Sequence, residues 1–290
     1  MPIPPRPRGR PAKADQGKTR SRSAVPLLRD QGDVGDAYAR DRKFVWALAR
    51  GLELLRAFVP GRGALGNSDL AQLTGLPKPT VSRLTYTLTE LGYLTQVSRT
   101  GKYEPAPPLL ALGHPVLGAR PERLAARNAM RELAELAQGQ VALATPDGLA
   151  MMYVERAVAA PPEDMRLEIG SRVEMVRSSL GRAWLSALPE TARAEAYARF
   201  QQRYREEWPA LRARVEDGIA QVRAHGFCLV DGEWARGVRA VAVPVISRDG
   251  SRILAMNCTS YGPGPSERLE QELGPKLVEV AKLVGPLIGE

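Results

Sequence analysis

A run of cationic and hydroxyl side chains follows Pro77 and has the chemistry needed to contact a duplex nucleic acid. Arginine recognises guanine or phosphate, lysine binds phosphate, and hydroxyl groups contact either. An apolar stripe with intervals of three, four and three predicts an amphipathic helix, formed by Val81, Leu84, Leu88 and Leu91. The side chains that project outward or lie at the helix start are the predicted DNA-reading set: Lys78, Thr80, Ser82, Arg83 and Tyr86.

The segments around this helix predict a winged helix-turn-helix over residues 44–106. A first apolar helix, a second helix capped by Asn67 or Ser68, and two short strands around a turn occur in that order: 45–58, 67–73, 93–97 and 102–104. Arg99 and Lys102 flank the tip of the predicted wing, where they can contact the phosphate backbone or the minor groove. The alternative is a protein-interaction module whose third helix only faces solvent.

The first 43 residues are rich in Pro, Arg and Gly and hold 11 Lys or Arg against 5 Asp or Glu. Such a segment buries too little apolar surface to offset chain entropy, so residues 1–43 are predicted to be a disordered basic tail. Arg8 and Arg10, within Arg6–Pro11, resemble the core of an AT-hook, which inserts two guanidinium groups into a narrow A·T minor groove. The alternative is an ordinary Arg/Pro-rich tail that attracts phosphate without reading sequence.

A predicted linker helix in residues 107–120 precedes a larger domain, residues 121–290. Runs of strands with helices grouped between them favour an α+β fold with an antiparallel sheet. The expected strands are 141–144, 150–156, 166–169, 227–230, 238–247 and 252–260, and the expected helices are 121–137, 179–188, 191–206, 210–224 and 267–284.

Two polar clusters in the larger domain have the chemistry to bind a small acid. Arg177, Ser178 and Ser179 precede a predicted helix, whose unpaired N–H groups and positive dipole end suit a carboxylate. Alternatively, a serine simply caps the helix and Arg177 is exposed. Asn257 and Thr259 are two apart and share one face of a predicted strand, where they either line a pocket or face solvent.

Signatures of catalysis and metal binding are missing from the sequence. Its two histidines stand in unrelated contexts, and it has no Gly-x-Ser-x-Gly elbow, phosphate loop or metal-spaced cluster, so no enzyme activity, metal or cofactor is predicted. Asp231, Glu233 and Arg236 are expected to pair with one another. No run approaches about 18 apolar residues, and no apolar stretch follows the basic N-terminus. Cys228 and Cys258 are interpreted as reduced core residues of a cytoplasmic protein.

Five stretches resemble IclR-type transcriptional regulators, in family order and at family spacing, from about residue 44 to the C-terminus. They are Phe44–Leu52, Gly75–Leu84, Gly170 with Ser179–Ala183, Gly226–Val245 and Ala255–Thr259. The Phe44 opening and the Ala255–Asn257 strand are most similar to the branch that controls aromatic-acid catabolism, such as the protocatechuate and 4-hydroxybenzoate pathways.

The resemblance implies a GAF-like effector domain that binds a small organic acid, in a homodimer or a dimer of dimers. Winged domains would pair through the first helix and the linker, and effector domains would pair separately. RNA polymerase is a further candidate partner, and no membrane partner is expected. The effector positions include Gly170, Asp231 and Ala240, where the family often has Cys or Ser at the last; Asn257 and Thr259 stand where it often has two serines.

These features predict a sequence-specific DNA-binding regulator whose C-terminal domain binds a small, aromatic acid that modulates DNA binding or transcription. A competing hypothesis is a ligand-independent architectural DNA-binding protein that uses the basic tail and the winged helix. A third is an enzyme with a DNA-binding appendage.

Overall fold

The structure is a computed structural model that describes residues 41–59, 61–118, 121–159, 167–262 and 266–288. The predicted basic tail, with Arg8 and Arg10, lies almost entirely outside the described residues. Within the described part of the chain, no helix combines the length and apolar character needed to cross a membrane.

A three-helix unit followed by a β-hairpin occupies the N-terminal part, in the predicted order: α1 (Trp46–Arg56), α2 (Asn67–Thr74), α3 (Lys78–Glu90), β1 (Leu94–Val97) and β2 (Lys102–Pro105). The Asp69 carboxylate caps α2 by accepting a hydrogen bond from the Gly66 N–H at 2.9 Å. The expected caps, Asn67 and Ser68, therefore lie inside the helix. Gly75 ends α2 in the left-handed conformation, with φ of 72°, which glycine adopts without steric cost.

The core of this winged unit combines apolar residues from all three helices and the hairpin: Leu54, Ala57, Leu65, Leu70, Val81, Leu88 and Leu94. The apolar stripe predicted for α3 is partly wrong, because Leu91 is 62% exposed and Thr85 is fully buried instead. The Thr85 hydroxyl is accommodated by hydrogen bonding to the Asn67 side-chain oxygen at 3.1 Å. This bond ties α3 to α2.

The second unit is built on one six-stranded antiparallel sheet. Its strands are β3 (Gln140–Asp147), β4 (Ala150–Val158), β5 (Arg172–Glu174), β6 (Cys228–Asp231), β7 (Val238–Ile246) and β8 (Ile253–Tyr261). They lie in the order β5-β4-β3-β8-β7-β6, and every neighbouring pair is antiparallel. The predicted α+β class, with an N-terminal winged helix-turn-helix, is confirmed.

Helices cover both faces of this sheet, giving three layers. The linker helix α4 (Pro108–Gly118) leads in from the winged unit, and the covering helices are α5 (Pro121–Ala137), α6 (Ser179–Ala187), α7 (Glu190–Tyr204), α8 (Trp208–His225) and α9 (Gly274–Val284). On one face α5 and α9 pack around Leu143 and Met256. On the other face α6, α7 and α8 pack around Tyr153 and Ala242.

One predicted strand is wrong. Residues 167–169 of the expected strand 166–169 are not part of the sheet, and the chain joins it only at β5. The reason is a turn at Gly170, which has φ of 87°. Its N–H donates to the Tyr153 carbonyl at 2.8 Å, and the Tyr153 N–H donates to the Ser171 carbonyl at 2.9 Å. The edge of β4 is therefore already occupied by this turn.

Candidate functional site

The outer face of α3 carries most of the side chains that the sequence assigns to DNA reading. Lys78, Ser82, Arg83 and Tyr86 are exposed, Tyr86 at 66%, and Thr80 is half-buried. Pro79 stands in the first turn of α3, where its missing N–H costs no hydrogen bond. The N-cap residue, Pro77, makes no side-chain cap hydrogen bond, so the remaining N–H groups and the positive dipole end of α3 are suited to an anion.

The wing carries the two other predicted DNA contacts, Arg99 and Lys102, and both are exposed. The ammonium of Lys102 lies 3.4 Å from Asp69 Oδ2. The Gly66 N–H and then Lys102 lower the pKa of Asp69. Because Asp69 also caps α2, Lys102 connects the hairpin to the helix-turn-helix.

An apolar groove runs along α1 where it meets α3. Leu48, 62% exposed, and Leu52, 51% exposed, line it with Leu55 and Leu112. Only some side chains of the apolar repeat that predicts α1 are therefore buried inside the winged unit. Thr80 and Arg83, which belong to the predicted DNA-reading set, also line the groove.

A small cavity lies in the second unit, between the sheet and the start of α6. Five of the residues predicted to bind an effector line it: Ser178, Ser179, Ala240, Asn257 and Thr259. The rest of the wall is mainly apolar and aromatic: Tyr153, Leu167, Val173, Leu180, Val230, Trp234, Val238 and Tyr261. None of these described lining residues carries a charge, so the cavity is polar through hydroxyl and amide groups alone.

The serines lie where the helix begins. Ser178 is the N-cap of α6, and its hydroxyl accepts a hydrogen bond from the Gly181 N–H at 3.2 Å. Ser178 therefore caps the helix, as one interpretation expects, and it also lines the cavity; carboxylate binding by the serines stays a prediction. The helix start adds its positive dipole end to this wall.

The opposite wall is formed by β8. Asn257 Nδ2 lies 3.1 Å from Thr259 Oγ1 and donates to it. Asn257 Oδ1 is buried and has no hydrogen-bond partner among the described residues, as is common for a group that binds a ligand or water. Burial raises the pKa of the Tyr153 hydroxyl and raises that of Tyr261 to about 12. Both phenols are therefore neutral hydrogen-bond donors at neutral pH.

Three predicted effector residues do not line the cavity. The Arg177 guanidinium contacts the carboxylates of Glu174 and Glu207 outside it, so the expected arginine beside the serines is wrong. Gly170 forms the turn before β5 and is exposed. Asp231 is exposed and accepts a hydrogen bond from the Ser266 hydroxyl at 3.1 Å.

A buried ion pair next to the cavity was not predicted. Arg182, on α6, is 1% exposed, and its Nη1 and Nη2 donate to the two oxygens of Glu233 at 3.0 and 2.6 Å. Arg214 Nη1, on α8, donates to the same carboxylate at 3.1 Å. The expected pairing of Glu233 with Asp231 and Arg236 is therefore wrong, because Glu233 turns inward.

Glycine at position 218 makes room for this ion pair. A Cβ there would lie 2.6 Å from Arg182 Cδ, so the arginine stem crosses α8 only because residue 218 has no side chain. This glycine inside a helix was the one sequence signal that could have indicated a close crossing. Glu233 in turn fixes the loop that places Trp234 in the cavity wall.

Among the described residues, no group of three or more His, Cys, Asp or Glu side chains is arranged to hold a metal ion. A winged helix-turn-helix joined to a sheet domain with an internal cavity defines a class of protein, the one-component transcriptional regulator. DNA recognition and ligand binding then reside in one chain.

Comparison with known proteins identifies the family. The IclR helix-turn-helix domain matches residues 47–98, and the bacterial transcriptional regulator IclR C-terminal domain matches residues 116–285. The chain belongs to the IclR family of transcriptional regulators, with a DNA-binding N-terminal domain and an effector-binding C-terminal domain. The family resemblance found in the sequence is confirmed.

Individual relatives extend over both domains. The Pca regulon regulatory protein of Pseudomonas putida is 29% identical over 97% of this chain and 94% of its own length. An IclR family transcriptional regulator from Brucella abortus is 40% identical, with a TM-score of 0.71 over 85% of this chain and 94% of that one. An IclR homolog from Microbacterium hydrocarbonoxydans, crystallised with 4-hydroxybenzoate, shares the fold at 21% identity, with a TM-score of 0.63 over 83% of this chain and 98% of that one. The Pseudomonas and Brucella relatives are named as regulators, and this chain is likewise a transcriptional regulator.

Replacing Glu233 with Gln is expected to destabilise the C-terminal domain by about 2–3 kcal/mol at pH 7, because the buried Arg182 loses its counter-charge. Burial alone would raise the pKa of Glu233, but Arg182 and then Arg214 outweigh it and hold that pKa below the ordinary value of 4.5. The carboxylate therefore stabilises the fold above about pH 4.5, and this contribution is lost as the pH falls through the lowered pKa.

Urea denaturation of wild type and Glu233→Gln between pH 3.5 and 7 measures this effect. The difference in unfolding free energy should be largest at neutral pH and should shrink in acid. Glu272→Gln, which removes an exposed carboxylate on the surface of the same domain, is the control and should change stability little. Equal stability of wild type and Glu233→Gln at pH 7 would contradict the assignment.

Proposed function

We propose that the cavity binds a small aromatic carboxylic acid and that this acid changes how the winged unit binds its operator. The proposal rests on the cavity wall, which is polar on one side and largely apolar on the other. Ser178 and Ser179 stand at the start of α6, and a largely apolar surface faces them. A carboxylate at a helix start is stabilised by the N–H groups and the dipole, even where no cationic side chain is present.

The apolar part of the wall favours a ring over a short aliphatic acid. Val173, Leu180, Val230 and Trp234 offer flat and branched surfaces that an aromatic ring would cover. Two relatives support the aromatic class. One is named a Pca regulon regulator, and a structural neighbour was crystallised with 4-hydroxybenzoate.

Isothermal titration calorimetry of the full chain with benzoate, 4-hydroxybenzoate and 3,4-dihydroxybenzoate, against acetate and succinate, tests the ligand class. At least one aromatic acid should bind, and the aliphatic acids should bind more weakly. Asn257→Leu, which removes the buried amide, is expected to weaken that binding about tenfold while the fold is kept. Ser260→Ala, on the same strand but outside the cavity wall, is the matched control. Failure of every acid to bind would favour the ligand-independent architectural DNA-binding protein.

The DNA-binding role of individual residues is also a proposal. The outer face of α3 enters the major groove, with Lys78, Thr80, Ser82, Arg83 and Tyr86 along it, and the wing contacts the backbone through Arg99 and Lys102. The support is their exposure on one side of the unit. Arg8 and Arg10 of the tail add minor-groove or phosphate contacts.

Arg83→Ala and Lys78→Ala are each expected to weaken operator binding about tenfold without unfolding the protein, because both side chains are exposed. The lysine variant should also lower the salt dependence of binding, since it removes a phosphate contact. Gel-shift titration at several salt concentrations measures both effects. Lys276→Ala, an exposed cation of the other domain, should bind as wild type does. Wild-type affinity in both α3 variants would refute this recognition face.

We also propose that two winged units pair through the groove along α1, with the linker helix α4 beside it. Leu48, Leu52, Leu91 and Leu112 leave a continuous apolar strip exposed, and such strips mark protein contacts. A second copy of the chain is the occupant that also suits a two-fold operator, because paired recognition helices read two half-sites.

Leu48→Glu combined with Leu52→Glu is expected to remove one association step while each protomer stays folded, because both side chains are already half exposed or more. Sedimentation velocity over a range of protein concentrations measures the mass, and circular dichroism checks the fold. Leu283→Glu, which alters a 70% exposed leucine on α9, is the control. An unchanged mass at every concentration would exclude this groove as the pairing surface.

A further inference from the structure

Asp147 lies at the tight turn between β3 and β4 and contacts an arginine from each domain. Arg56 Nη2, in the last turn of α1, donates to Asp147 Oδ2 at 3.0 Å. Arg172 Nε, at the start of β5, lies 2.8 Å from the same oxygen. Arg172 Nη2 also donates to the Asp147 main-chain oxygen at 2.9 Å. One carboxylate thus connects the winged unit to the cavity domain.

Arg172 is directly attached to the cavity wall. The next residue, Val173, lines the cavity, and the two residues pair with Met152 and Met151 of β4. β5 is only three residues long and is the edge strand of the sheet. Any displacement of Val173 is therefore transmitted to Arg172, because a peptide bond joins the two residues.

The ion pairs that Asp147 forms are partly exposed to solvent. Its carboxylate is 29% exposed, and the side chains of Arg56 and Arg172 are 36% and 17% exposed. Water screens such a pair, so it can break and re-form, unlike the buried pair of Arg182. Arg56 also stands at the C-terminal end of α1, where the helix dipole favours a cation and keeps it there.

We propose that Asp147 is an ionic junction that couples the cavity to the winged unit. Through Arg56 it holds α1 in the position seen in the structure. A ligand that displaces β5 moves Arg172 and, through its two contacts, Asp147. The carboxylate that Arg56 contacts is thereby shifted, so the winged unit moves relative to the cavity domain. This inference rests on the proposed function, because the second half requires that the cavity bind an acid.

The contact between the two domains can be tested without ligand, by measuring distances between spin labels in the full chain with double electron–electron resonance. Ser98→Cys on the wing and Arg248→Cys in the turn between β7 and β8 are both exposed attachment sites. The native Cys228 and Cys258 are buried, and burial raises their pKa values to about 12, so they stay unlabelled. Dilution with unlabelled chain ensures that each measured pair belongs to one protomer.

Asp147→Asn and Arg56→Gln should each shift or broaden the label-to-label distance distribution, because either removes the charge pair between the domains. Arg56→Lys, which keeps the charge, should restore most of the wild-type distribution. Lys276→Gln, which removes a surface ion pair within one domain, should leave it unchanged. The junction is refuted if the Asn and Gln variants both match wild type, or if Asp147→Asn alone has an effect.

The coupling between the cavity and the winged unit is tested with 4-hydroxybenzoate as the probe. Operator affinity is measured with and without a saturating concentration of this acid. Asp147→Asn should bind the probe as wild type does but should lose about two- to fivefold of the probe's effect on operator affinity, the range expected for a partly exposed ion pair. An undiminished effect in Asp147→Asn overturns the coupling while leaving the ligand class intact. If wild type does not bind the probe, the proposed coupling by this acid fails with the proposed ligand, and the ligand-free distances alone then decide whether the junction exists.

Discussion

The pairing of Arg182 with Glu233 is the interaction on which the C-terminal domain depends. A guanidinium that is 1% exposed is tolerated only when a carboxylate and its hydrogen bonds replace the lost water. Because the partner lies on the loop between β6 and β7, satisfying the arginine also fixes that loop against α6. The same contact extends to α8 through Arg214. The Glu233 carboxylate therefore holds α6, α8 and the loop between β6 and β7 together at one edge of the cavity.

The sheet provides the space that the cavity requires. Asn257 is flanked in register by Ala142 and Ala242, and Thr259 is flanked on β7 by Ala240. These methyl groups leave a hollow that larger side chains would fill. The intervening residue of β8, Cys258, faces the opposite core. A period of two along one strand thus separates the packed layer from the cavity layer.

Sequence reasoning succeeded where a repeat determines which way a side chain faces. The outward set on α3 and the shared face of Asn257 and Thr259 follow from periods of 3.6 and 2. It failed for Arg177, since whether a long flexible side chain turns toward a pocket or toward nearby glutamates is decided by tertiary contacts. The expected partners of Glu233 were wrong for the same reason, because its actual partner Arg182 lies 51 residues away and no local pattern relates them.

α1 combines two roles on different sides of one short helix. Its exposed leucines, Leu48 and Leu52, are available to a second copy, while Arg56 at its end contacts Asp147 in the cavity domain. If both proposed contacts form, a ligand that weakens the Asp147 contact changes the constraint on the helix through which the two copies pair. The distance between paired recognition helices then responds to cavity occupancy. A weak junction is sufficient for this response. A ligand shifts a conformational equilibrium by its difference in affinity for the two states. In a symmetric pair, both copies contribute that shift.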